Sequence, residues 1–374
     1  MRKANLALIS PNKNAYSETF IAYHKKNINA NITYLYGGSL PEMSEDGKFS
    51  VQYNIINKIR RRLHKKLSPD SLSFHEKKLI RYFKEQQINV VLAEFGMTGA
   101  AMVKVCKALD LPLIVFFHGL DAYLHEILAT QKEAYERLFR DATHIFAVSQ
   151  HMYNQLISLG CPANKLSINT YGPAEFYFDV NSNYTQKNFL AIGRFVDKKA
   201  PQNTLTAFAA ALQKHPDAKL RMVGDGPLRA KCDQLVKDLN IAGNVEFKGI
   251  LSPQEILPLY ADTIAFVQHS LTAPNGDREG TPVAVLEASA GGLPIVSTKH
   301  AGIPDVVIDG ETGYLFEEGD VTAMTVAMIK ILDDLALAKK LGLAGRKRIQ
   351  EHFTLEKHIT NIERVIDTVL NTRN

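Results

Sequence analysis

Two glutamates eight residues apart carry the strongest chemical signal in the chain, at the ends of Glu279-Gly280-Thr281-Pro282-Val283-Ala284-Val285-Leu286-Glu287. Thr281 can cap a helix, and Pro282 fits a first helical position, where a missing N–H costs nothing. Glu279 then lies in the loop ahead of the helix and Glu287 one to two turns inside it. A carboxylate in so apolar a stretch needs a partner, because an unpaired buried charge is costly; ligand hydroxyls would supply one. The free N–H groups of Gly280, Thr281 and Val283, with the helix dipole, favour a phosphate at the same place. The plainer alternative is a solvated loop charge at Glu279 and an exposed helix position at Glu287.

Cations suited to such a phosphate lie upstream, in Gly193-Arg194-Phe195-Val196-Asp197-Lys198-Lys199. Gly193 permits a tight turn, Arg194 offers a planar fork for phosphate oxygens and Lys199 a point charge. This reads as a diphosphate clamp or as a loop with solvated cations. Val223-Gly224-Asp225-Gly226-Pro227-Leu228 reads as a phosphate-binding glycine loop or as a tight strand-to-helix turn, since the third glycine of the dinucleotide fingerprint is missing. His118, in Phe117-His118-Gly119-Leu120-Asp121, ends a strand and could contact a sugar or balance charge at a reacting centre. A single histidine there is also often structural.

Positioning these groups requires strands alternating with helices, and the sequence supplies two such series. Apolar, β-branched runs recur at Asn5–Ser10, Ile32–Tyr36, Ile88–Ala93, Leu113–Phe117, His144–Val148 and Leu166–Asn169. A second series runs through Phe189–Ile192, Lys219–Val223, Val245–Lys248, Thr263–Gln268 and Pro294–Ser297. Helical patterns follow at Val321–Leu332, Ala336–His352 and Leu355–Leu370. The expectation is an α/β protein of two doubly wound parallel-sheet domains facing each other across a ligand-binding cleft. Its divisions are a first domain over 1–175, a linker over 176–188, a second domain over 189–354 and a closing helix over 355–374.

The length of 374 residues exceeds the ~250–300 at which single cores stop growing. No apolar run approaches the ~18–20 residues of a membrane span, so a cytoplasmic location is expected. Cys106, Cys161 and Cys232 lack metal or redox spacing and read as buried thiols. Residues 1–90 hold 16 Lys/Arg against 7 Asp/Glu, so one end of the molecule is basic. Within it, 54–67 reads as a basic amphipathic helix, with Ile55, Ile59, Leu63 and Leu67 on one face and Lys58, Arg60, Arg61, Arg62, Lys65 and Lys66 crowding the rest. That suits an anionic membrane surface, which would make the protein peripheral at the inner face of the cell membrane. Nucleic acid is disfavoured by the lack of aromatic interleaving or a recognisable motif.

In their order and separations, Gly193-Arg194 with Lys199, the Val223–Leu228 loop, and Glu279 with Glu287 followed by Gly291-Gly292-Leu293-Pro294-Ile295-Val296-Ser297-Thr298 resemble the family-4 retaining glycosyltransferases of the GT-B fold. The resemblance extends into the first domain through Phe117–Asp121, Ala147-Val148-Ser149 and Leu159-Gly160. Ser17-Glu18-Thr19-Phe20 and Asp277-Arg278-Glu279-Gly280 look like the branch that builds bacterial surface polysaccharides, of lipopolysaccharide or exopolysaccharide type.

The resemblance implies that Arg194 and Lys199 hold the diphosphate of a UDP- or GDP-linked sugar, with Gly193, Gly224 and Gly226 lining the donor site. Glu279 would contact the sugar, Glu287 the ribose hydroxyls, and His118 would face the transferred sugar. Backbone around Lys248-Gly249-Ile250 would meet the base, and the closing helix would cross back to brace the first domain. Many members carry a Gly-Gly turn after the first strand, whereas Pro11-Asn12-Lys13-Asn14 stands here; Asn12, Asn14 and Glu18 are the acceptor candidates. The acceptor would be a hydroxyl of a glycan or lipid-linked molecule, attacking on the face from which the nucleoside diphosphate leaves. The chain has no Asp-x-Asp, so neither a metal nor a cofactor is expected. The rival readings are a nucleotide-sugar epimerase of similar shape and a catalytically silent nucleotide- or carbohydrate-binding module. A nicotinamide dehydrogenase is disfavoured by the missing fingerprint.

Overall fold

In the computed structural model, which describes residues 3–13, 18–51 and 71–372, the apolar runs build two sheets. The first contains β1 (Asn5–Ile9), β2 (Asn31–Tyr36), β3 (Met43–Ser44), β4 (Val90–Glu94), β5 (Leu113–Phe117), β6 (His144–Ala147) and β7 (Leu166–Ile168), in the order β3-β2-β1-β4-β5-β6-β7. The second contains β8 (Asn188–Ile192), β9 (Lys219–Val223), β10 (Val245–Gly249), β11 (Ala265–Gln268), β12 (Ile295–Thr298) and β13 (Gly313–Phe316), in the order β10-β9-β8-β11-β12-β13. Every pairing is parallel except β2 with β3. Every residue of β4 and β5 is buried, as expected of central parallel strands covered by helices on both faces.

Strand order reverses at β1/β4 in one sheet and at β8/β11 in the other, and ligands of doubly wound sheets bind beyond the carboxyl ends at such points. Both points open onto one cleft. The expected α/β architecture of two Rossmann-like units is therefore present. Two strands escaped the sequence reading. β3 is a two-residue strand defined only by its pairing with β2. β13 opens on Gly313, where a Cβ would stand 2.0 Å from the Ile295 carbonyl, so close packing placed a poor strand former at its head.

The closing helix, Leu355–Asn371, crosses back onto the first unit. Ile359, Ile362, Ile366 and Val369 recur at helical spacing and join the same core as Leu6 and Leu35. Asn169 donates to the His358 carbonyl at 3.0 Å, and the Asn29 N–H donates to Glu363 at 2.7 Å. Gly172 makes the crossing possible, because a Cβ there would lie 2.1 Å from the Leu355 nitrogen. The 176–188 segment is packed, with Tyr177 and Tyr184 buried. All three cysteines are buried thiols. Among the described residues no helix is long and apolar enough to cross a membrane. The basic 54–67 stretch and Asn14 lie outside the described residues.

Candidate active site

A cavity of about 280 Å³ occupies the cleft between the two sheets. From the second domain, Gly193, Arg194, Lys199, Gly224, Ile250, Glu279, Gly280, Thr281, Pro282, Val283 and Glu287 line it; from the first, Glu18 and His118.

The cations arrive from the end of β8. Arg194 is exposed there, and its guanidinium has no hydrogen-bond or ion-pair partner among the described residues. After a short turn over Asp197–Lys199, Ala200 adopts a left-handed φ of 36° and turns the chain into the helix Pro201–Leu212. This strained turn fixes Lys199 in the cavity wall. Its Nζ donates to Gln268 Oε1 at 3.2 Å and stands 3.4 Å from Glu279 Oε2. Burial pulls the Lys199 ammonium below its usual range, and Glu279 opposes that shift.

Burial also pushes the Glu279 carboxyl up, but the ammonium of Lys199, and then that of Lys198, outweigh it and hold the group low. Glu279 is therefore ionised, and its other oxygen, Oε1, is buried without a hydrogen-bond partner among the described residues. Such an oxygen is costly unless a ligand donates to it. The Glu279 backbone is held as well. Its N–H donates to His300 Nε2 at 3.1 Å, and His300 Nδ1 donates to Glu318 Oε1 at 2.6 Å. An accepting Nε2 requires a neutral ring, the form burial favours at His300. The sequence reading missed His300 because nothing local to a lone histidine after a strand announces the loop it holds.

One local expectation fails at the helix following Glu279. Helix Val283–Ala290 has Pro282 at its cap position with no side-chain cap. Thr281 does not cap: its hydroxyl donates to the Val148 carbonyl at 2.7 Å, satisfying the end of β6 across the domain boundary. Beside it, Gly280 lies so close to His118 that a Cβ would meet the His118 carbonyl at 2.1 Å. Deeper in the helix, Glu287 is buried, and burial raises its carboxyl to about 7 against the opposing hydrogen bond from Tyr177.

The glycine loop divides its work. Gly224 lines the cavity at φ 126°, and a Cβ there would stand 2.0 Å from the Gly193 carbonyl, so the β8 and β9 loops approach backbone to backbone. Gly226 lies off the cavity, against the Phe195 backbone, where a Cβ would meet the carbonyl at 2.6 Å. Lys248 and Gly249 also lie outside the lining: they complete edge strand β10, Lys248 pairs with Glu246, and the chain turns in only at Ile250.

On the first-domain wall His118 is buried with both ring nitrogens engaged, Nδ1 with Tyr171 Oη at 2.5 Å and Nε2 with Glu94 Oε2 at 2.8 Å. Phe20 stacks on Tyr171 and lies tilted over His118. Phe95 and Tyr171 also line the cavity and were not singled out from sequence. A second cavity, of about 730 Å³, adjoins this wall and is lined by Asn12, Lys13, Glu18, Lys25, Lys26 and Tyr34 among others. Glu18 borders both cavities, and Asn12 donates to it at 2.9 Å. Asn12 thus sits in the neighbouring space and not in the cleft itself. Burial raises the Glu18 carboxyl above its ordinary value.

Taken together, the second-domain wall offers an exposed guanidinium, a buried ammonium, a helix start and two carboxylates. That set can hold a diphosphate next to two hydroxyl-rich groups. Residues 174–348 match the family model described as glycosyl transferases group 1, and residues 34–169 that of glycosyltransferase family 4. The amylovoran biosynthesis glycosyltransferase AmsK of Erwinia amylovora is 31% identical over 71% of this chain and 66% of its own length. The putative colanic acid biosynthesis glycosyltransferase WcaL of Salmonella typhimurium is 28% identical over 70% of this chain and 66% of its own length. The matched region thus spans about two thirds of each relative. Among solved structures, the Anabaena protein Alr3699/HepE in complex with UDP superposes with a TM-score of 0.78 at 17% identity, over 98% of this chain and 100% of that one. Its UDP-glucose complex superposes with a TM-score of 0.73 at 16% identity, over 97% and 99% of the two chains.

Proposed function

The chain belongs to the family-4 glycosyltransferases of the GT-B fold, and from that premise we propose that it transfers a sugar, with retention of anomeric configuration, from a nucleotide-sugar to a hydroxyl of a glycan or lipid-linked acceptor in polysaccharide biosynthesis. One observation carries the reading: ionised Glu279, with one buried oxygen unpaired among the described residues, beside Lys199 and in the same cavity as Arg194, whose guanidinium has no partner among the described residues. A sugar hydroxyl would donate to Glu279 Oε1. Arg194, Lys199 and the open N–H groups at the start of Val283–Ala290 would take up charge on the leaving diphosphate. Glu287 would accept from the ribose hydroxyls. The names of AmsK and WcaL support surface-polysaccharide assembly, and the UDP and UDP-glucose complexes of HepE support a nucleotide-linked donor.

Attack on the face from which the diphosphate leaves needs no protein nucleophile, and the positive lining supplies charge stabilisation without a metal. The acceptor would enter from the second cavity, past Asn12 and Glu18. The basic 54–67 stretch would hold the enzyme to an anionic membrane at its inner face. The test is transfer from a panel of UDP- and GDP-sugars to lipid-linked and glycan acceptors, with the product anomer read by NMR. An inverted product ends the retaining assignment. Donor consumption to a new nucleotide-sugar without acceptor indicates the epimerase, and binding without turnover a silent module. Complete loss of activity in chelator, restored by a divalent ion, refutes metal independence.

A further inference from the structure

Behind the first-domain wall runs a buried line of side chains whose protons can be counted. Glu94 Oε2 meets His118 Nε2 at 2.8 Å and its Oε1 meets His24 Nδ1 at 2.6 Å. His24 Nε2 meets His358 Nε2 at 2.7 Å, and His358 Nδ1 meets the Thr170 carbonyl at 3.0 Å. His24 lies on the helix Thr19–Asn27 and His358 on the closing helix. Both are buried, and Glu94 is 0% exposed.

The Thr170 oxygen only accepts, so His358 Nδ1 carries a proton. Two ring nitrogens in contact need one proton between them. Burial would raise Glu94, but His24 and the hydrogen bonds from both histidines outweigh it and hold the carboxyl at about 2. It therefore accepts from His24 and from His118. His24 and His358 together bear three protons on four nitrogens, one positive charge against the negative charge of Glu94. Burial keeps His358 neutral, which puts the charge on His24, next to the carboxylate. At the cleft end, Tyr171 stays a phenol because burial raises it far, and no other acceptor meets its hydroxyl among the described residues. It therefore donates to His118 Nδ1, and His118 is neutral. The remaining carboxylates in reach are Glu18, Asp121 and Glu279. Asp121 is already engaged by the N–H groups of Gly96, His118 and Gly119. Arg194 and Lys199 face the cavity from the opposite wall.

We propose that His358 is a positioning residue which acts through His24 and Glu94 to keep His118 neutral, protonated at Nε2, where the transferred sugar sits. The functional half rests on the glycosyl-transfer reading; the protonation half does not. Without an acceptor at His358, the N–H of His24 Nε2 is left buried and unpaired, so that proton leaves. Glu94 then lacks a counter-charge, which His118 restores by binding a proton at Nδ1, with Tyr171 turning to accept and directing its own O–H into the cavity it lines. A cationic His118 would oppose the positive charge that develops on the sugar during transfer, while leaving diphosphate binding intact.

The experiment is imidazole nitrogen NMR on the full chain, with His118 assigned by His118→Gln, alongside steady-state kinetics. The wild-type His118 should show one protonated and one bare nitrogen. His358→Phe keeps the ring's packing but offers no acceptor, so His118 should show two protonated nitrogens, with kcat down on the order of 10-fold and donor KM within about twofold. His358→Gln, whose amide oxygen can accept from His24, should restore the wild-type pattern and rate. A wild-type His118 with two protonated nitrogens overturns the proposal even if a variant fails to fold, as does a His118 pattern blind to His358→Phe. A pattern that follows His358 in a protein that transfers no sugar removes the functional reading and leaves the protonation assignment standing.

Discussion

The two switch points are built by the same strand order and finished in opposite ways. At β8/β11 the groups are left unsatisfied: the Arg194 guanidinium has no partner among the described residues, and Glu279 Oε1 is buried with none. At β1/β4 they are satisfied: both oxygens of Glu94 and both ring nitrogens of His118 are engaged. An unsatisfied charged wall gains most when a polyanionic, hydroxyl-rich ligand arrives, whereas a saturated wall holds its shape and charge while the ligand reacts. On the proposed function the sides of the cleft divide binding from pre-organisation, although one topology produced both.

The sharpest way to break this contrast is at Lys199. Lys199→Ala removes the ammonium that keeps Glu279 ionised, so kcat/KM should fall on the order of 10³-fold, and retention of rate would detach this pair from the chemistry. Arg194→Ala removes one charge-assisted phosphate contact and should cost on the order of 10²-fold in rate with a confirmed donor. His300→Leu leaves the Glu279 N–H unpaired and should cost about 1–3 kcal/mol, a roughly 5- to 150-fold loss in kcat/KM, while His300→Gln can still accept and should recover part of it.

Glu287 titrates near neutrality, held at about 7 by burial. A carboxyl raised in this way is largely protonated below that pH, and only its ionised form accepts from both ribose hydroxyls. Calorimetry should therefore find nucleotide-sugar affinity rising about several-fold between about pH 6 and pH 8, with Glu287→Gln flattening the profile. A flat wild-type profile would take Glu287 away from the ribose. The smallest effect is expected at Lys248, paired with Glu246 outside the cavity: Lys248→Ala should leave donor KM within about twofold.

Much of the second-domain wall was legible because its chemistry is local. Glu279, Pro282 and Glu287 lie on one strand-to-helix junction, and Arg194 and Lys199 on one loop, so spacing alone brings each set together. Lys248 and Gly249 fall outside the cavity lining, which the chain reaches only at Ile250, because the edge strand ends one residue later than its apolar pattern. Gly226 stayed open between two readings because a glycine that serves a backbone approach, as it does against Phe195, looks the same in sequence as one that serves a phosphate. Thr281 has the right side chain for a cap, yet across the domain boundary the Val148 carbonyl was the better partner.

The sequence by itself determined two doubly wound units, the closing helix and the cationic and acidic parts of the second-domain wall, since these follow from periodicity and from groups a few residues apart. Only the tertiary structure decided which groups have partners. His24 and Glu94 are 70 positions apart, and His24 and His358 are 334. A proton shared over such separations leaves no trace in local composition. Burial, which makes those contacts obligatory and sets their charge, exists only once the closing helix has packed against the first sheet.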